Sequence, residues 1–275
     1  MKSFSEKLEK IKTNISAAAG RSGRDPSQIQ IVAVTKTHSE AALKSGRKPE
    51  EVSLMAVTKT IESKFINHAI ANGISMIGEN KVQEAVWKKQ RSPSGPEWHL
   101  IGHLQTNKVR QALETFDFIH SVDSLKLIKK IYSVADQMGA KIRVLLEVNV
   151  SGEKSKTGMP VEAVEEAVKY ILEECSFRIS LEGFMTMAPF SENPEDSRVY
   201  FRRLRQLKEE MEKKFDMVFP HLSMGMSGDY EVAIEEGATF IRLGTVLLAT
   251  AQNCRASGIF PTGNRLIRIV ERGQR

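Results

Sequence analysis

Two lysines occupy the same place in two near-copies of one segment. Val32-Ala33-Val34-Thr35-Lys36-Thr37 recurs 23 residues later as Met55-Ala56-Val57-Thr58-Lys59-Thr60. The match extends upstream, where Ser22-Gly23-Arg24 and Pro26 answer Ser45-Gly46-Arg47 and Pro49, so residues 18–40 repeat as 41–63. Each copy reads as a short apolar strand ending in lysine. A lysine at the mouth of a buried strand is desolvated. That lowers its pKa and frees a neutral amine to attack a carbonyl. Two further segments suit an anion. Ser223-Met224-Gly225-Met226-Ser227-Gly228-Asp229 has glycines that let the backbone turn and approach a ligand. Ser227 or Asp229 can cap the helix that follows, whose N–H groups suit a phosphate. Arg242-Leu243-Gly244-Thr245 adds a bare backbone N–H, a hydroxyl and a cation.

These groups need a frame. Apolar runs predict strands at 29–35, 52–58, 74–77, 98–101, 117–120, 142–150, 179–184, 219–223 and 239–243. Helical spacing lies between most of them, at 62–72, 104–114, 124–138, 160–174, 196–214 and 229–236. A further helix opens the chain over 5–19, with Leu8, Ile11, Ile15 and Ala18 on one face. Short buried strands alternating with helices argue for a parallel sheet under a helical layer. Eight such units make an α/β (β/α)8 barrel of TIM type, for which about 250 residues is typical. The chain has 275 residues and reads as one domain. The strand count is one too many, and the surplus is the first lysine copy. Because strand number, tilt and shear are linked, one copy is expected in the barrel and the other outside it. Lys59 has the shorter connection to Gly78-Glu79-Asn80, so the second copy is the expected occupant.

Composition narrows the function. Forty basic and 34 acidic residues give a net charge of +6, modest and interspersed, which does not call for nucleic acid. The arginines of the tail lack interleaved aromatics, which weakens an RNA-binding reading. Only Cys175 and Cys254 occur, which fits a reducing cytoplasm. No apolar run is long enough to span a membrane. His99, His103 and His120 are too differently placed for a metal site and read as rim or core histidines. Polar residues gather at predicted strand ends, where barrel active sites are built, and phosphate sites recur after strands seven and eight. Phosphate loops opposite an activatable lysine suggest pyridoxal 5'-phosphate, PLP. A phosphosugar-binding barrel would account for the loops but not for the lysine.

The chain resembles the PLP homeostasis protein family (YggS/PROSC-like, alanine racemase N-terminal-domain-like). The stretches that carry the resemblance are Ala56-Val-Thr-Lys-Thr60, Gly78-Glu-Asn-Lys-Val-Gln-Glu84, Trp98-His-Leu-Ile-Gly-His-Leu-Gln-Thr-Asn-Lys108, His120-Ser-Val-Asp123, Asn149 to Gly158, Leu222 to Asp229 and Arg242 to Thr245. The resemblance implies a PLP-binding barrel that buffers or delivers the cofactor without substantial turnover. It implies that Lys59 forms the Schiff base. Ser223, Ser227, Gly244 and Thr245 would hold the phosphate. Arg242 would face the pyridine nitrogen, and Asn80 and Met224 would line the ring. Partners would be PLP itself and PLP-requiring apoenzymes, with no nucleic acid and no membrane, in a monomer or weak homodimer. The alternative is an amino-acid racemase, which needs a second base supplied as tyrosine by an added β-domain. Tyr132, Tyr170, Tyr200 and Tyr230 are the only tyrosines, and none sits in a strand-end motif. Two features depart from the family: the doubled lysine strand, and the atypical tail 250–275.

Overall fold

The computed structural model describes residues 4–26, 29–34, 54–57, 76–153 and 156–243. Its strands are β1 (Gln30–Val34), β2 (Leu54–Val57), β3 (Met76–Glu79), β4 (Glu97–Leu100), β5 (Phe118–Val122), β6 (Ile142–Asn149), β7 (Met159–Pro160), β8 (Ile179–Met185), β9 (His221–Met226) and β10 (Phe240–Leu243). Among the described residues all pairings are parallel. The order is β5-β4-β3-β2-β1-β10-β9-β8-β6, and β5 also pairs with β6, which closes the ring. The two-residue β7 hangs on the end of β6. The fold is an α/β barrel of TIM type, with nine strands in the ring among the described residues.

The ninth strand corrects the expectation that the first lysine copy is displaced. β1 lies inside the ring, between β10 and β2. It pairs with its own duplicate in register, Ile31 with Leu54 through Val34 with Val57. The reason is backbone satisfaction. An excluded apolar strand would keep its N–H and C=O groups unpaired, or seek another edge. Taking it into the ring gives it a ladder on both sides, and a barrel's diameter grows with strand number. The expectation rested on a fixed count of eight, and pairing outweighs that count.

Alternation along each strand makes two apolar layers. Phe118, Leu145 and Phe240 point into the lumen, where they cluster with Met76, Ile101 and Met185. Their neighbours Ile119, Leu146 and Ile241 point outward and pack under the helices. The helix Leu125–Met138 shows how that layer is made. Ser124 Oγ accepts from the Leu127 N–H at its start, and Gly139 ends it in the left-handed region at φ 65°. Between these stops, Leu127, Ile128, Ile131 and Val134 are buried on one face. The opening helix, Phe4–Arg21, buries Ile11, Ile15 and Ala18 as the spacing predicts. It docks on the helix Tyr230–Glu235, where Asn14 Nδ2 donates to Tyr230 Oη at 3.0 Å and to Glu231 Oε1 at 2.9 Å. Val82–Lys89 is a helix that the pattern did not single out. The expected helix 62–72 and the tail 250–275 lie outside the described residues.

Candidate functional site

The parallel strands deliver their C-terminal ends to one rim. Arg242, on β10, is buried at 4% exposure. Its Nη1 donates to Ser223 Oγ at 2.8 Å and its Nη2 to the Thr186 carbonyl at 2.9 Å. Thr186 is locked in turn, its hydroxyl donating to the Val148 carbonyl and its N–H to the Ser223 carbonyl. Both direct partners of the guanidinium are neutral. Burial pulls the Arg242 pKa down to about 10, while Asp229 and Glu147 act the other way at longer range. It therefore keeps its charge at neutral pH.

Glu147, on β6, shares this end of the lumen. It accepts a short hydrogen bond from the Thr157 hydroxyl, and burial pushes its pKa up. Motif reasoning missed it, although its place in the apolar run Arg143 to Val150 marks a charge on an otherwise buried strand. On the opposite side, Asn80 follows β3 and is half-buried. Gly102 packs against its backbone so closely that a Cβ there would sit 2.3 Å from the Asn80 carbonyl oxygen.

The loop after β9 differs from expectation in two ways. Ser223 to Met226 is strand, since β9 runs to Met226 rather than stopping at 223. Asp229 occupies the cap position of Tyr230–Glu235 but does not cap with its side chain. Its carboxylate turns back, accepting from the Met226 N–H at 2.6 Å and the Ser197 hydroxyl at 3.1 Å. It braces the turn instead of closing the helix end. Ser227 lies in that turn, half-buried. Gly225 is required here. Its φ is 89°, and a Cβ would stand 2.5 Å from Ala233 Cβ.

Of the expected site residues, the structure brings Ser223 and Arg242 into contact. It places Asn80 and Ser227 after C-terminal strand ends of the same ring. Met224 is a correction. It is fully buried in the outer layer with Leu222, on the face of β9 opposite Ser223, because neighbouring strand residues point to opposite sides. Lys36, Lys59, Gly244 and Thr245 lie outside the described residues.

The histidines separate into two kinds. His103 is largely exposed and sits 3.1 Å from Asp123. His99 and His120 are buried in the lumen, with His99 Nδ1 3.0 Å from His120 Nε2. Among the described residues no group of three or more histidines, cysteines or acids is placed to hold a metal. Nor is any helix there long and apolar enough to cross a membrane.

A parallel ring with a buried cation at its C-terminal mouth defines a ligand-binding α/β barrel. The chain belongs to the alanine racemase N-terminal domain family, whose sequence profile matches residues 38–252. It is 42% identical to the pyridoxal phosphate homeostasis protein of Aquifex aeolicus over 88% of this chain and 96% of that one. It is 36% identical to the protein of that name from Escherichia coli, over 90% of this chain and 96% of that one. Among solved structures, PipY of Synechococcus elongatus without PLP superposes with TM-score 0.69 at 30% identity, over 87% of this chain and all of that one. The PLP-bound form of PipY gives 0.67 at 29% identity, over 86% of this chain and all of that one. Alanine racemase of Clostridium difficile shares the fold at TM-score 0.61 and 15% identity, with 78% of this chain matched to 57% of that one.

Proposed function

We propose that this protein binds pyridoxal 5'-phosphate at the C-terminal mouth of the barrel and serves PLP homeostasis as a carrier or buffer, without substantial turnover. The observation that carries it is the Arg242 guanidinium, buried, charged and, among the described residues, hydrogen-bonded to neutral partners, where a ligand would enter. Relatives named for PLP homeostasis at up to 42% identity support it, as does a homologue solved with PLP. The cofactor supplies an aldehyde for a lysine amine and a ring that can withdraw electrons. Lys59 is the residue to hold it. The family match at 38–252 takes in Lys59 and leaves out Lys36. Ser227, Gly244 and Thr245 would receive the phosphate, and Asn80 would flank the ring. Arg242 would meet the pyridine nitrogen as a cation, which disfavours its protonation and makes the ring a poor sink for carbanions.

The tyrosines argue against racemization. Tyr132, Tyr170 and Tyr200 lie on outer helices, and Tyr230 begins one, its hydroxyl engaged by Asn14. None stands at a strand end. Cys175 is buried, and burial lifts its thiol to about 11, as suits an unreactive core thiol. Apoenzymes that need PLP are the natural recipients.

The purified protein saturated with PLP should absorb near ~420 nm and yield a borohydride-fixed adduct. Absence of both would sink the proposal. Exchange of the α-proton of alanine in heavy water should be negligible. Rates in the usual enzyme range of about 1–1,000 per second would favour the racemase.

A further inference from the structure

A line of hydrogen-bonding groups runs through the lumen from Arg242 to the opposite face. Arg242 Nη1 is 2.8 Å from Ser223 Oγ. Ser223 Oγ is 3.3 Å from His120 Nδ1. His120 Nε2 is 3.0 Å from His99 Nδ1. His99 Nε2 is 3.4 Å from Glu97 Oε2, which also lies 3.1 Å from Arg143 Nη2. Glu97 opens β4 and is about half exposed, so the line ends in solvent at the N-terminal mouth.

The direction of this line is forced by its ends. Arg242 can only donate. Glu97 can only accept, since His99 and Arg143 hold its pKa down to about 2. Both histidines are buried, and burial pulls their pKa values down, so each carries one proton. The other charged groups around them are Arg143, Arg242 and Asp117, with His221 nearby and itself lowered to about 4 by burial. His99 must place its proton on Nε2 to meet the carboxylate. Its Nδ1 then accepts, so His120 donates from Nε2. His120 Nδ1 accepts in turn, so the Ser223 hydroxyl donates to it. Every proton points from Arg242 toward Glu97.

We propose that His120, His99 and Glu97 are positioning residues for Arg242, acting as a one-way relay that commits the Ser223 proton downward and leaves its oxygen as a fixed acceptor for the guanidinium. This moves Ser223 from phosphate ligand to anchor of Arg242. That Arg242 in turn meets the cofactor rests on the function proposed above, whereas the relay does not.

Two experiments separate these layers. In cofactor-free protein at about pH 7.5, above the ordinary histidine pKa of about 6.5, imidazole nitrogen NMR should show His99 and His120 neutral and protonated on Nε2. An imidazolium or an Nδ1–H form at either would overturn the relay. Glu97→Gln offers both a donor and an acceptor, so the two histidines should become mixtures of tautomers. Unchanged tautomers in Glu97→Gln would also overturn it. The second experiment compares PLP with pyridoxal, which lacks the phosphate. Ser223→Ala should weaken both by the same factor, about threefold to tenfold, the worth of one hydrogen bond. Ser227→Ala should weaken PLP alone. A Ser223→Ala effect confined to PLP would return Ser223 to the phosphate and reject its anchoring role. Should the unaltered protein bind neither aldehyde, the PLP proposal fails while the NMR result still decides the relay.

Discussion

Two buried or half-buried arginines in this barrel live in opposite surroundings. Arg198, in the outer helical layer, is ringed by carboxylates. It meets Glu195 at 2.7 Å, Glu235 at 2.5 Å and Glu236 at 3.2 Å, and Arg202 and Arg205 share Glu236. Those hydrogen bonds push its pKa up. Arg242, at the mouth, has a serine oxygen and a backbone carbonyl, and burial pulls its pKa down. A saturated cation of the first kind ties helices together. A cation of the second kind is costly to bury and leaves its charge available to a ligand. The contrast assigns stability to the outer layer and chemistry to the lumen.

The largest expected effect concerns the mouth itself. Lys59→Ala should abolish the borohydride-fixed PLP adduct, and Lys36→Ala should leave it. The structure sharpens this test, since β1 and β2 stand side by side in register and both lead toward the same rim. An adduct mapping to Lys36 by peptide analysis would show that the first copy supplies the amine.

A smaller but more diagnostic effect comes from exchanging the two arginines for methionine. Arg242→Met should weaken PLP at least about tenfold, as expected for losing a charged contact, yet change unfolding free energy by no more than about 1 kcal/mol, because a costly buried charge is removed with it. Arg198→Met should do the reverse, leaving PLP affinity unchanged and lowering stability by about 1 kcal/mol. Titration with PLP and urea unfolding of the same two variants would read both. Equal effects on affinity and stability in either variant would break the division between mouth and outer layer.

Much of this architecture was legible because apolar runs mark buried strands wherever they pair. The predicted strand over 142–150 is β6 almost residue for residue, and 124–138 matches its helix with the capping Ser124 included. What stayed hidden required partners. His99 and His120 are 21 residues apart, and only the β4–β5 register makes them neighbours. The motif alone sets Met224 beside the cofactor ring. Had β9 been carried past 223, alternation would have sent Met224 outward. The place of β1 is hidden in the sequence for a different reason. A barrel's strand count is not fixed at eight, and an apolar strand with two willing neighbours gains more by joining the ring than by leaving it.

The last prediction separates lumen from surface by pH. His221, at the start of β9, faces Phe240 and Phe118, and burial lowers its pKa to about 4. In the unfolded chain it titrates near its ordinary value of about 6.5. Between those values the unfolded state binds more protons than the folded one. The contribution of this group is therefore complete above about pH 6.5 and is lost as pH falls toward 4, on the order of 3 kcal/mol. The carboxylates of the outer network behave differently. Burial pushes the pKa values of Glu235 and Glu236 up, but the arginines that hydrogen-bond their ionised forms outweigh it and leave both lowered. Their contribution persists until the pH falls below the ordinary carboxylate range. Urea unfolding across pH 4 to 7 should thus show a slope that His221→Gln reduces, leaving the share of the buried His99 and His120, and that Arg198→Met does not change. The glutamine can keep the polar contact that His221 Nδ1 makes with the Thr239 hydroxyl at 3.3 Å. If the slope were undiminished in His221→Gln and vanished in Arg198→Met, acid sensitivity would belong to the surface, and the lumen would lose its claim to the titrating groups.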